Sequence, residues 1–232
     1  MPNRRHRRPR TFALATALAA FPASTQACSL ALVLALDVSA SIDPAEYDLQ
    51  QEGLARALTD PDVVAAIEGT GGIWLSVYEW SGARHQYEQI PWTWVDTAAT
   101  VAKAASTLRD MRRRADDFPT SLGYALGYGL ITLTRAPEIC ARAVIDISSD
   151  GDNNDGFPPE SAYDAHDLTG VTVNALVIED ENPDLAGYYR ENVIRGDAAF
   201  VEIARDYQDY GEAMRRKLLR EIGALAFAAA DH

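Results

Sequence analysis

Five oxygen-bearing side chains stand at three separated places in the chain: Asp37, Ser39 and Ser41 with one residue between each, then Thr120, then Asp150. Carboxylate and hydroxyl oxygens are hard donors. An all-oxygen set suits Mg²⁺, which takes about six of them at ~2.1 Å in near-octahedral array, with Ca²⁺ or Mn²⁺ as alternatives. Alternate residues of one turn point the same way, so Asp37, Ser39 and Ser41 can supply three donors from a single loop. Three do not close the shell, and Thr120 and Asp150 are the candidates from two further loops. Water completes the protein's share, and one position stays open for an incoming group. With only two carboxylates, the ion keeps enough Lewis acidity to attract an external oxygen, whereas a structural cage would carry more acids. The competing reading is that Ser39 and Ser41 cap the next helix, Asp37 caps a turn, Thr120 caps another helix, and Asp150 is an ordinary loop acid.

The elements around these residues favour the first reading. Leu30 to Leu36 is an apolar run that reads as a buried strand ending at Asp37. A helix start follows at once: Asp43 as N-cap, Pro44 at the first helical position and Glu46 three residues past the cap. A strand that ends in oxygens and turns directly into a helix makes a corner at the carboxyl edge of a sheet, where open α/β sheets place their sites. Thr120 precedes a helix marked by Leu122, Leu126, Leu130 and Leu133, on which Gly123 and Gly127 predict close packing against neighbouring backbone. Asp150 ends the strand Ala141 to Ser149. Further strands are expected at Ile73–Trp80, Tyr87–Val95, Val171–Ile178 and Ala198–Ala204. Pro91 argues that the Tyr87 strand is an edge strand joined to its predecessor by a hairpin. Helices are expected at Pro44–Leu58, Asp60–Glu68, Thr97–Met111, Pro159–Leu168, Leu185–Val193 and Tyr207–Ile222. The last carries basic residues near its end and Gly223 as a C-cap. Arg109 to Arg114 reads as a solvated basic helix end. The pattern is α/β: a doubly wound, mostly parallel six-stranded sheet with one antiparallel edge strand and helices on both faces.

The chain has 232 residues, 47% hydrophobic, with a formal charge of −13, enough for one sizeable core. The first ten residues carry five arginines and no acid, an alanine-rich apolar run follows, and a small-residue stretch ends at Ala27. That is the layout of a secretory signal peptide over 1–27, cleaved after Ala27, which places the mature domain (28–225) in the periplasm or outside the cell. Residues 226–232 read as a weakly ordered tail. Pro9 interrupts the arginine run, so general secretion is expected over the twin-arginine route. Without residues 1–27, 16 basic side chains face 34 acidic ones. So acidic a domain argues against nucleic acid or an anionic membrane as partner.

Cys28 lies nine residues before Asp37, and Cys140 ten before Asp150. If those two strands are parallel neighbours, both cysteines meet at the amino edge, and an oxidising compartment permits a disulfide. Lipidation of Cys28 and two free thiols are the alternatives. No CxxC spacing supports zinc.

The chain resembles the von Willebrand factor A-type domain, the fold of integrin-type inserted domains, in a secreted single-domain bacterial branch. The motifs that carry the resemblance are Asp37-Val38-Ser39-Ala40-Ser41, Thr120 in PTSLGYAL, and Asp150-Gly151 in VIDISSDG. They match, in order, the family's metal-ion-dependent adhesion site, and the likeness runs from Ser29 to about Ile222. The resemblance implies that Ser39 and Ser41 bind the ion directly, Thr120 does so when a ligand is engaged, and Asp37 and Asp150 act directly or through water. It also implies that an acidic side chain of a partner protein completes the shell.

The expected function is a non-enzymatic, divalent-cation-dependent protein-binding module. The alternatives are a structural module with a stabilising or vestigial ion and, less favoured, a metal-assisted hydrolase. The hydrolase needs a general base, yet His85 falls in a strand–strand turn and His166 inside a helix, away from the metal loops in sequence. Asp150 to Gly156 superficially follows a calcium loop, but its glycine is misplaced and Ser161 stands where a glutamate is needed, so a solvated acidic loop is expected. Trp80 is placed to border the binding face; Trp74, Trp92 and Trp94 read as core or sheet-face packing.

Overall fold

The computed structural model of the protein describes residues 28–180 and 182–228. The apolar run before Asp37 is strand β1 (Leu30–Asp37), buried along its whole length. It lies at the centre of a six-stranded sheet with β2 (Ile73–Trp80), β3 (Gln86–Val95), β4 (Arg142–Ser149), β5 (Val171–Ile178) and β6 (Val201–Ala204), in the order β3-β2-β1-β4-β5-β6. Every pairing is parallel except β2 with β3. The period-two alternation of β1 divides the core. Leu30, Leu32, Leu34 and Leu36 face one layer, built with α1 (Pro44–Leu58), α2 (Pro61–Gly69), α3 (Ala98–Arg109) and α7 (Tyr210–Ala228). Val33 and Ala35 face the other, built with α4 (Leu122–Leu133), α5 (Pro159–Asp164) and α6 (Leu185–Asn192). Burying one leucine fully contributes roughly 1.5–3 kcal/mol, which is why the strand with four of them on one face takes the centre.

Pro91 sits in the edge strand β3, at an irregularity. Leu75 pairs with Thr93 and Val77 with Ile90, so two residues of β3, Pro91 among them, lie opposite Ser76 alone. A bulge tolerates a residue with no N–H. At the amino edge, Cys28 and Cys140 form a disulfide with their Cα atoms 4.4 Å apart. The β1–β4 register, Leu30 opposite Arg142, puts the two cysteines side by side. The bond occupies the Cys28 sulfur that lipidation would need. The expected signal peptide, residues 1–27, and residues 229–232 of the expected tail lie outside the described residues.

Several expectations are corrected. α7 begins at Tyr210, not Tyr207, and passes through Gly223 to Ala228. A helix interior accepts a glycine at a cost of about 1 kcal/mol, which packing against the sheet offsets. Lys217 is therefore in mid-helix and fully buried, not part of a basic helix end. Its Nζ lies 2.7 Å from Asp146 Oδ1 and 2.5 Å from Glu221 Oε1, while Asn174 Nδ2 donates to Glu221 Oε1 at 2.8 Å. α5 stops at Asp164, so His166 follows the helix instead of lying within it. Gly123 does meet backbone, since a Cβ there would stand 2.1 Å from the Phe157 carbonyl oxygen, but Gly127 has nothing within 4 Å. Trp80 is fully buried among the core residues under α4 and borders no surface.

Candidate metal centre

The corner after β1 is built as its residue types require. Asp43 Oδ1 accepts from Ala45 N at 2.7 Å and Glu46 N at 2.8 Å, and Glu46 Oε2 accepts from Asp43 N at 2.7 Å. This reciprocal cap starts α1 immediately after the 38–42 loop and keeps that loop short. Asp43 is thus an N-cap, as its position predicts. Pairing of Leu36 with Ser148 then brings the ends of β1 and β4 together.

The structure brings all five candidate residues into one cluster. Thr120 Oγ1 is 3.2 Å from Ser39 Oγ, Ser39 Oγ is 3.4 Å from Ser41 Oγ, and Ser41 Oγ donates to Asp150 Oδ1 at 2.9 Å. Asp37 anchors the other side: its Oδ1 accepts from Ser39 N at 2.8 Å and its Oδ2 from Ser149 Oγ at 2.5 Å. Burial, then the charge of Asp150, pushes the Asp37 carboxyl up to about 7, although the Ser149 and Ser39 hydrogen bonds pull it down. The Asp150 charge raises the Asp37 carboxyl across a set of hydroxyls, so the cluster is short of positive charge, which a hard divalent cation would supply. The donor set fits Mg²⁺, Ca²⁺ or Mn²⁺ on that ground. Among the described residues no group of three or more His, Cys, Asp or Glu side chains is arranged to hold a metal. Hydroxyls make up the greater part of this cluster.

Other residues complete the corner without a local signal in the sequence. Ser149, the last residue of β4, supplies the hydroxyl that holds Asp37. Tyr189 Oη donates to the Gly151 carbonyl at 3.0 Å. Tyr207, between β6 and α7, is buried, and its phenol is raised first by burial and then by Asp150, Asp37 and Glu46. The 150–156 segment is solvent-facing, with Asp152, Asn154 and Gly156 exposed, and it is also tied down by hydrogen bonds. Asn154 Oδ1 accepts from Thr120 N at 2.9 Å, Asn153 Oδ1 from Gly123 N at 3.2 Å, and Asp155 Oδ2 from Ser121 Oγ at 2.5 Å. Ser121 makes no side-chain cap of its own, so this loop caps α4 and orients Thr120. Arg113, expected at a solvated helix end, lies beyond α3 and donates to the Val38 and Ser39 carbonyls. His85 stacks on Phe118, ring centroids 3.5 Å apart, two residues before Thr120.

Solved structures share this fold. Proximal thread matrix protein 1 from the mussel byssus, in a structure with a zinc-occupied MIDAS motif, superposes with a TM-score of 0.59 at 16% identity, over 85% of this chain and 48% of that one. A von Willebrand factor type A protein from Catenulispora acidiphila gives 0.59 at 16% identity, over 85% and 43%. The pilus adhesin SpaC from Lactobacillus rhamnosus GG gives 0.61 at 13% identity, over 84% and 31%. This chain thus spans less than half the length of each. A search of curated protein sequences found no match. The model of a family described as "Protein of unknown function (DUF1194)" matches residues 27–226, so the chain belongs to that family and carries the von Willebrand factor A-type fold.

Proposed function

We propose that the protein is an exported, divalent-cation-dependent protein-binding module of adhesion type. The observation that carries this reading is the convergence of Asp37, Ser39, Ser41, Thr120 and Asp150, from three loops, at the carboxyl edge of the sheet. Mg²⁺, or Ca²⁺ or Mn²⁺ in its place, would supply a Lewis-acid position for one oxygen of a partner protein. Ser39, Ser41 and Thr120 present neutral oxygens to the ion, while Asp37 and Asp150 balance its charge directly or through water. The solved structures that share the fold include a matrix protein and a pilus adhesin, which supports attachment over turnover. The disulfide suits the periplasm or the cell exterior.

A second reading has its own observation. The Ser39–Thr120 and Ser41–Asp150 contacts already join the three loops, so an ion there would also serve as a purely stabilising brace. Two measurements separate the readings. Calorimetric titration of Mg²⁺ into wild type and Ser39→Ala tests the ion. Capture from the host's extracytoplasmic fraction, with Mg²⁺ and with EDTA, tests the partner. A Mg²⁺-binding wild type that retains a partner only with Mg²⁺, and loses it in Ser39→Ala, supports the module. Mg²⁺ binding with identical capture in both conditions leaves the brace, and absence of divalent binding sinks both.

A further inference from the structure

We infer that Arg113 is a positioning residue of the cation site, setting its affinity from behind without touching the ion. The inference rests on the cation-binding reading above. Two peptide planes flank the Cα of Ser39, and each is held at both ends. In the first, Ser39 N donates to Asp37 Oδ1 at 2.8 Å while the Val38 carbonyl accepts from Arg113 Nη2 at 3.0 Å and Nε at 3.3 Å. In the second, Ala40 N donates to the Phe118 carbonyl at 2.9 Å while the Ser39 carbonyl accepts from Arg113 Nη2 at 2.7 Å. Fixing both planes fixes φ and ψ of Ser39, and with them the direction in which its Oγ leaves the backbone. Among the described residues, Arg113 is the only side chain that donates to carbonyls of the 38–42 loop. A planar fork reaching two successive carbonyls is a task for guanidinium and not for a single ammonium.

The guanidinium is itself located. Its Cζ lies 5.9 Å from the centroid of the Tyr47 ring. Tyr47 Oη donates at 2.5 Å to Glu79 Oε1, and Gln89 Nε2 donates to Glu79 Oε2 at 2.6 Å. Glu79 is fully buried, and the nearby Arg113 charge opposes the rise that burial imposes on its carboxyl. The Tyr47 ring on α1 thus stands beside the guanidinium, and Glu79 on β2, itself held by Gln89 on β3, fixes the Tyr47 phenol and supplies a nearby opposite charge. Arg113 also ties the segment leading to Thr120 to the loop bearing Ser39.

Groups that orient the residues binding a metal typically cost 10–100-fold in metal affinity when removed. The experiment titrates Mg²⁺, and Mn²⁺ followed by electron paramagnetic resonance, into the purified wild type, Arg113→Ala, Arg113→Lys and the control Arg114→Ala. Urea unfolding in EDTA gives the ion-free stability of each. The expected result is about a 10-fold or greater loss of affinity in Arg113→Ala, a smaller loss in Arg113→Lys, and none in Arg114→Ala. Methylguanidinium should restore Mn²⁺ binding in Arg113→Ala, which a merely structural role does not predict. If wild type binds the ions and both Arg113 variants match it, or if the loss simply tracks ion-free stability with no rescue, the inference is overturned. If wild type binds neither ion, it is the cation site itself that fails. Should Arg113→Ala not fold, the Arg113→Lys affinity decides.

Discussion

Ser149 Oγ donates to Asp37 Oδ2 at 2.5 Å, joining the ends of the two central strands across 112 residues of sequence. This contact opposes the burial that raises the Asp37 carboxyl. Ser149→Ala should therefore raise that carboxyl further and weaken Mg²⁺ binding about 10-fold or more, because Asp37 must be ionised to hold the ion. The loss should be larger at pH 6.5 than at pH 8. Calorimetric titration at both pH values checks it, and an unchanged affinity at either would remove Ser149 from the site.

The ion-free protein should lose stability as pH rises. Asp37 and Asp146 are both pushed up to about 7 by burial, Asp37 next by Asp150 and Asp146 next by Glu221. Their unfolded values lie near 3.9, so the folded state binds these protons more tightly than the unfolded state does. The stability they contribute is full below about pH 4, declines as pH climbs through 7, and is then gone. The effect is on the order of 1–4 kcal/mol per group. Urea unfolding in EDTA should show a falling midpoint between pH 5 and pH 8, with a smaller fall in Asp146→Asn. Saturating Mg²⁺ should reduce the Asp37 share, since the ion favours the carboxylate. A flat profile in EDTA would contradict this account.

Lys217→Met should be severe. The ammonium is the cation between Asp146 and Glu221, and all three side chains are buried. Removing one partner of a buried ionic group costs roughly 3–5 kcal/mol, because the remaining charge is stranded. Adding Asp146→Asn and Glu221→Gln to Lys217→Met should recover much of the loss. Urea midpoints of the single and triple variants test this, and a Lys217→Met protein as stable as wild type would show that the carboxyls simply take up protons at no cost.

Two glycines one helical turn apart on α4 should respond oppositely to alanine. At Gly123 a Cβ would meet the Phe157 carbonyl oxygen at 2.1 Å, so helix and loop must separate, which also disturbs the Asn153 and Asn154 contacts beside Thr120. Gly123→Ala should cost more than about 1 kcal/mol and weaken Mg²⁺ binding. Gly127 has open space around it, and Gly127→Ala should stabilise by up to about 1 kcal/mol through helix propensity, with binding unchanged. Thermal melts paired with Mg²⁺ titration check both; a tolerated Gly123→Ala would show that the loop is looser than its hydrogen bonds imply.

Much of the molecule could be read along the chain, because the relevant information is local. The apolar run, the three alternating oxygens and the Asp43–Glu46 cap lie within one short stretch, and their local residue pattern marks a strand, a loop and a helix start. Strand count and the antiparallel edge follow from periodicity, and the nine- and ten-residue distances of Cys28 and Cys140 from their strand-end aspartates make their pairing an expectation. The supports of the site were decided only by tertiary structure. Arg113 reaches Val38 across 75 residues, and Asn154 reaches Thr120 across 34. In sequence, Arg113 is one of several arginines after a helix, Asn154 one of several polar residues in a turn, and Lys217 one of a basic run. Which of them is drawn inward depends on the carbonyl, amide or carboxylate that another element leaves facing it, and that partner exists only once the sheet has closed.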